Sequence, residues 1–167
     1  IVIALGGFAL VQLGTINVNS QSLLEDNQPS LEYISSAQEA TLLNRLLLYK
    51  HIGSDDKEDM KRIEQQMAEN STRAAKSLEQ YSAMAKSAED RALVDHITAT
   101  RKIFLGIVEQ ALERSRTSSD NSLTYKFTRK ELDPVELGYA KALQDARDYE
   151  TANASAAGNS ISNSVGS

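Results

Sequence analysis

Between Met60 and Met84 the sequence sets Met60, Ile63, Met67, Asn70, Ala74, Ser77, Tyr81 and Met84 at alternating steps of three and four residues. Only an α-helix gathers such positions onto one face, and the seven-residue repeat is the seam of a helical bundle. Nothing elsewhere competes with that reading. Proline occurs only at Pro29 and Pro134, and Val and Ile never collect into alternating runs. Ala, Leu, Ser, Glu, Gln and Lys dominate, which favours long helices over sheet. The fold class is all-α.

Three further helices complete the pattern. The first covers 16–52, with Leu24, Leu31, Ile34, Leu42, Leu46, Tyr49 and Ile52 as its stripe, a kink near Asn27 where Pro29 interrupts it, and Gly53 at its C-terminal cap. Ser54 can cap the second helix, and Asp55, Asp56, Glu58 and Asp59 favour its N-terminal dipole end. Ser87, with Asp90 three residues on, starts the third, whose stripe is Leu93, Ile97, Thr100, Phe104, Ile107 and Ala111. The fourth runs from about Ser122 past Ala154, with Leu132, Val135, Tyr139, Leu143, Ala146 and Tyr149 inward and a bend at Pro134. Four helices joined by short turns predict an antiparallel up-down-up-down four-helix bundle, its first and fourth helices long and continuing toward a membrane.

The two ends carry that last expectation. Residues 1–13 hold one polar side chain, Gln12, and the first charge in the sequence is Glu25. A bilayer needs ~20 apolar residues, so residues 1–15 are expected to be the C-terminal part of a first transmembrane helix, residues 16–160 the bundle, and residues 161–167 the approach to a second span. Both ends then lie on one side of the membrane.

Composition narrows the chemistry. With 18 basic and 23 acidic side chains, net charge −5, the balance gives no reason to expect nucleic acid, which usually demands a basic face. Cysteine is absent, which rules out disulfides and Cys-based zinc sites. His51 and His96 fall on different helices, no di-iron carboxylate–histidine motif is present, and no Gly-rich loop precedes a helix. No enzyme activity, metal or cofactor is expected.

Several segments together resemble the four-helix-bundle sensor domain of methyl-accepting chemotaxis receptors, also found in some sensor kinases. They are LLNRLLLYKHIGS, MKRIEQQMAENSTRAAKSLEQYSAMAKS, SAEDRALVDHITATRKIF and KELDPVELGYAKALQDARDYETANASA. The resemblance covers the whole length. It implies a periplasmic homodimer anchored in the inner (cytoplasmic) membrane, a small polar ligand near the membrane-distal end, and a signal sent down the fourth helix. The alternatives are the sensor of a histidine kinase or similar receptor, and a membrane-anchored structural bundle that binds protein partners only.

Arg45 interrupts the richest apolar stretch of the first helix, where a charge needs an acceptor. A carboxylate of a small organic acid or amino acid could supply it, and so could Glu109 or Asp133, or the side chain could snorkel to solvent. Counting inward from the turns near 53 and 117–120 sets Arg45 level with Arg129, Tyr49 level with Tyr125 one layer nearer the tip, and Thr41 level with Asp133 one layer below. Arg101 and Phe104 pair a charge with an aromatic ring one turn apart on the third helix. The candidate ligand residues are therefore Arg45, Tyr49, Thr41, Arg101, Phe104, Tyr125 and Arg129.

Overall fold

A computed structural model describes residues 13–165 apart from 15 and 22. A π-helical turn, Leu23–Asn27, leads into α1 (Gln28–Gly53), followed by α2 (Lys57–Met84) and α3 (Ala88–Thr117). Then α4 (Asn121–Phe127), a second π turn (Thr128–Leu132) and α5 (Asp133–Val165) run on from one another. Among the described residues these elements make four helical rods and no strand. The expected transmembrane segment at 1–15 lies outside the described residues except for Leu13 and Gly14. No helix among the described residues is long and apolar enough to cross a membrane.

The caps show why the rods begin where they do. Asp56, rather than Ser54, caps α2 by accepting the Glu58 N–H, and Asp120 caps α4 by accepting the Ser122 N–H. Ser87 and Asp90 form the reciprocal capping box of α3. Gly53 ends α1, but no described residue has a positive φ, so a left-handed cap is not its purpose. The Tyr125 hydroxyl passes so close that a Cβ at Gly53 would sit 3.2 Å from it.

Both prolines follow a π turn. Pro134 has no N–H, and its ring would clash with the carbonyl four residues back. Widening the preceding turn removes that clash, and the Asp133 N–H bonds Thr128 O, five residues back. Pro29 stands in the same relation to Leu23–Asn27.

The chain divides into two compact units. Tyr33–Ala146 holds the core and is antiparallel throughout. Ser36 meets Ser77 while Asn44 meets Ser71, and Tyr49 stacks on Tyr125 while Arg45 reaches Glu136. The buried seam of α2 is Ile63, Met67, Ala74, Ser77 and Tyr81, five positions of the sequence repeat. On α1 the buried face is turned from the expected stripe. Ile34, Ala37, Ala40, Leu48, His51 and Ile52 are buried, whereas Leu42 and Leu46 remain 61% and 60% exposed. The rings of Phe104 and Tyr139 stack 5.4 Å apart, and Ala40 and Thr41 of α1 lie beside them.

The other unit comprises Ile1–Glu32 and Arg147–Ser167. Within it the buried Asn27 donates to Glu150 at 3.3 Å, and Asn19 donates to Ser160 at 2.8 Å.

Candidate ligand site

A cleft of about 310 Å³ lies inside the Tyr33–Ala146 unit. Glu64, Met67, Ala68 and Ser71 of α2 form one side, and Phe104, Leu105, Val108, Glu109, Leu112 and Arg116 of α3 form the other. Asn44, Arg45 and Leu48 of α1 with Leu132 and Glu136 form the floor. The four rods all contribute, as expected for a site in the core of a bundle.

Arg45 is bound from within. Its Nη1 donates to Oε1 of Glu136 at 3.1 Å, and its Nη2 to Asp133 at 3.5 Å. Side chains on a helix lean toward its N-terminus. Arg45 therefore leans away from the tip along α1, and Glu136 leans toward the tip along the antiparallel α5, so the two meet below the level that counting Cα positions implies. The guanidinium also lies 5.9 Å from the Tyr49 ring centre, and Tyr49 stacks on Tyr125 at 6.0 Å, the aromatic layer read from the sequence.

Glu136 is 5% exposed. Its second oxygen, Oε2, finds no hydrogen-bond partner among the described residues. Burial raises the carboxyl's proton affinity, and Arg45 pulls it back down only in part. Beside the floor, Asn44 donates to Ser71 at 2.9 Å and to the Met67 carbonyl at 3.0 Å.

The rim near the tip is a charge cluster. Arg116 bonds Glu64 at 2.8 Å, Glu109 at 3.0 Å and Glu113 at 3.3 Å. Its guanidinium holds the Glu64 carboxyl below the usual carboxylate range, helped by His51. His51 is fully buried, with Nε2 2.8 Å from Glu64 and Nδ1 2.8 Å from Ser115. Oε1 of Glu64 can accept from Nε2–H, and the Ser115 hydroxyl lies between Nδ1 and the His51 carbonyl, to which it donates at 3.3 Å.

A niche of about 10 Å³ adjoins the cleft, lined by Ala40, Thr41, Asn44, Ser71, Ala74, Arg101, Phe104, Leu105 and Tyr139. Arg101 donates to the Ser71 carbonyl at 3.2 Å. Thr41 donates to its own helix at Ala37 O, 2.8 Å away. Burial pushes the Tyr139 phenol up, opposed by Arg101 and Thr41, yet its hydroxyl has no well-formed hydrogen bond among the described residues.

The structure thus brings Arg45 and Phe104 into the cleft, sets Thr41 and Arg101 in the niche beside it, and stacks Tyr49 and Tyr125 next to Arg45. Arg129 is exposed on the π turn and lines neither space. Sequence reasoning missed Glu136, Asn44, Ser71 and the His51–Glu64–Arg116 cluster. Glu136 had a signal: it stands four residues after Leu132 and three before Tyr139, on the inward stripe, where an acid is out of place. Among the described residues no three His, Asp or Glu side chains are placed to hold a metal ion.

A bundle of four rods with a ligand-sized cleft among them has the form of a helical recognition module. The chain belongs to the family described as the four helix bundle sensory module for signal transduction, whose model matches residues 1–165. No curated protein matches the chain, and no solved structure does.

Proposed function

We propose that this sensory module is the extracytoplasmic ligand-binding domain of a bacterial chemoreceptor, held in the inner membrane by flanking spans and exposed to the periplasm. It binds a small carboxylate-bearing metabolite, an organic acid or an amino acid, and passes a displacement of α5 relative to α1 toward the membrane. The observation that carries the ligand reading is the cleft itself. It is largely apolar, it has room for a small metabolite, and Arg45 stands in its floor. The guanidinium makes two side-chain hydrogen bonds and has five N–H donors. Because α1 and α5 both supply the floor, a ligand drawn against Arg45 acts on the two helices that would carry the signal. The domain acts as a homodimer, neither catalyses nor carries a cofactor, and does not bind nucleic acid.

Thermal unfolding of the chain with a panel of organic acids, amino acids and aromatic acids tests this. The expected result is a rise in melting temperature for at least one carboxylate, lost in Arg45→Ala. A panel that leaves wild type unshifted overturns ligand sensing. The exposed leucines of α1 then favour a second reading, a bundle that binds protein partners only. A kinase output in place of chemotaxis leaves the domain's own chemistry unchanged.

A further inference from the structure

Among the described residues, Arg45 and Arg101 are the arginine and lysine side chains drawn partly out of solvent, and every other one is exposed. Arg45 meets two carboxylates. Arg101 meets none among the described residues. Its Nη2 donates to the Ser71 carbonyl at 3.2 Å, and it lies close enough to the Tyr139 phenol to act on its proton affinity, so both groups around it are neutral. A partly buried charge without a counter-ion is a standing cost, and a guanidinium carries five N–H donors in a planar fork.

Beside Arg101 runs a groove of about 480 Å³ formed by α2 and α3 alone, without α1 or α5. Ala75, Leu78 and Tyr81 of α2 and Val94, Ile97 and Leu105 of α3 give it an apolar lining. Arg101 lines both this groove and the niche, so its side chain is the partition between them. From Ala75 to Ser82 the groove follows α2 for ~10 Å, about two turns. Arg101 bonds at the level of Ser71, which sets the cation at the end of the groove nearer the tip. The acid in the lining, Glu79, stands eight residues along α2 from Ser71, ~12 Å by helix rise, too far to neutralise Arg101. Lys102 adds a second cation, so the lining sets two cations against one carboxylate.

We propose that this groove is a second ligand site and takes an amphiphilic monoanion: a carboxylate for Arg101 on an extended apolar chain, of the short fatty-acid kind, laid toward Tyr81 and Val94. The carboxylate pairs with the planar fork through two parallel hydrogen bonds and compensates the charge. The chain covers apolar surface that α2 and α3 otherwise leave to water. A dicarboxylate would set its second charge against the apolar walls, and an amine would repel Arg101. The site stands apart from the four-rod cleft, with which it shares only Leu105, and does not depend on what that cleft binds.

Calorimetric titration of the chain with octanoate, octanol, octylamine and succinate tests it. A single octanoate per chain is expected, held ~10-fold or more tightly than the other three, because a charge-assisted pair alone is worth that much. Arg101→Gln should bring octanoate down to the level of octanol. Ala75→Trp, at an exposed position that lines neither the cleft nor the niche, should fill the groove and abolish binding with Arg101 in place. It carries the test if circular dichroism shows that Arg101→Gln does not fold. Equal affinity for octanoate and octanol overturns the role of Arg101. Octanoate binding that survives Ala75→Trp overturns the groove as its site. No octanoate binding, or several weak sites per chain, overturns the proposal as a whole.

Discussion

The Arg45–Glu136 pair shows how one residue can be legible in sequence while its partner is not. Arg45 is conspicuous among leucines, and its need for an acceptor follows from charge burial alone. Which acceptor answers depends on how two antiparallel helices lean their side chains, and Glu136 answers more closely than Asp133, at 3.1 Å against 3.5 Å. Removing Arg45 strands the buried acid. Breaking a fully buried pair costs about 3–5 kcal/mol, and since Arg45 is 40% exposed the loss should be smaller, about 1–3 kcal/mol at neutral pH. The pH dependence has a definite sign. The folded-state proton affinity of Glu136 is already raised, and losing Arg45 raises it further. The stability linked to its protonation is fully present below the unfolded-state pKa and disappears as pH rises through the folded-state value. Urea unfolding of Arg45→Ala and wild type across pH should therefore show the deficit shrinking on acidification. A deficit independent of pH would show that Glu136 does not become the stranded charge.

At the scale of elements, local rules placed the helices well and their boundaries less well. The capping box of Ser87 and Asp90 needs only four consecutive residues and was readable as written. Asp56 displaced Ser54 as the cap of α2, a shift of two residues between polar side chains of similar capping ability, and Asp120 caps α4 just before its expected start near Ser122. The prolines signalled a disturbance but not its form. The π turn at Thr128–Leu132 closes its hydrogen bonds over one residue more than an α turn, which makes one of its residues surplus to the α-helical count. Deleting the exposed Lys130 should restore an ordinary turn and keep the faces of α4 and α5 aligned, at a cost within about 1 kcal/mol. Deleting the exposed Lys102 in mid-α3 should cost several times more, because it rotates half the helix by ~100° off its buried face. Equal losses in chemical denaturation would mean that the π turn does not hold a spare residue.

At the scale of the molecule, the proposed homodimer rests on α1. Leu42 and Leu46 stand one turn apart at 61% and 60% exposure, and Leu137 of α5, beside the acid that bonds Arg45, is 73% exposed. Burying a leucine is worth about 1.5–3 kcal/mol, and a single bundle needs only a stripe of apolar side chains. The remainder points to a second copy of the same face. Sedimentation equilibrium of the chain should show self-association that weakens ~10-fold or more in the Leu42→Glu, Leu46→Glu double variant, since 1.4 kcal/mol is already tenfold. Unchanged association would remove this face from the interface.

Sequence alone determined the fold class, the number of helices, the seam of α2, the aromatic layer of Tyr49 and Tyr125, and the chemical tension at Arg45. Each follows from periodicity, capping or burial cost, which act over a few residues and need no partner to be specified. Tertiary structure decided the rest. It turned α1 so that Ala37 and Ala40 face inward, Ala40 beside the Phe104–Tyr139 stack, and Leu42 and Leu46 outward. It chose Glu136 for Arg45, buried His51 between Glu64 and Ser115, and left an unfilled volume among the four rods. Those outcomes depend on which volumes and charges meet across helices far apart in the chain, and no local rule of sequence carries that information.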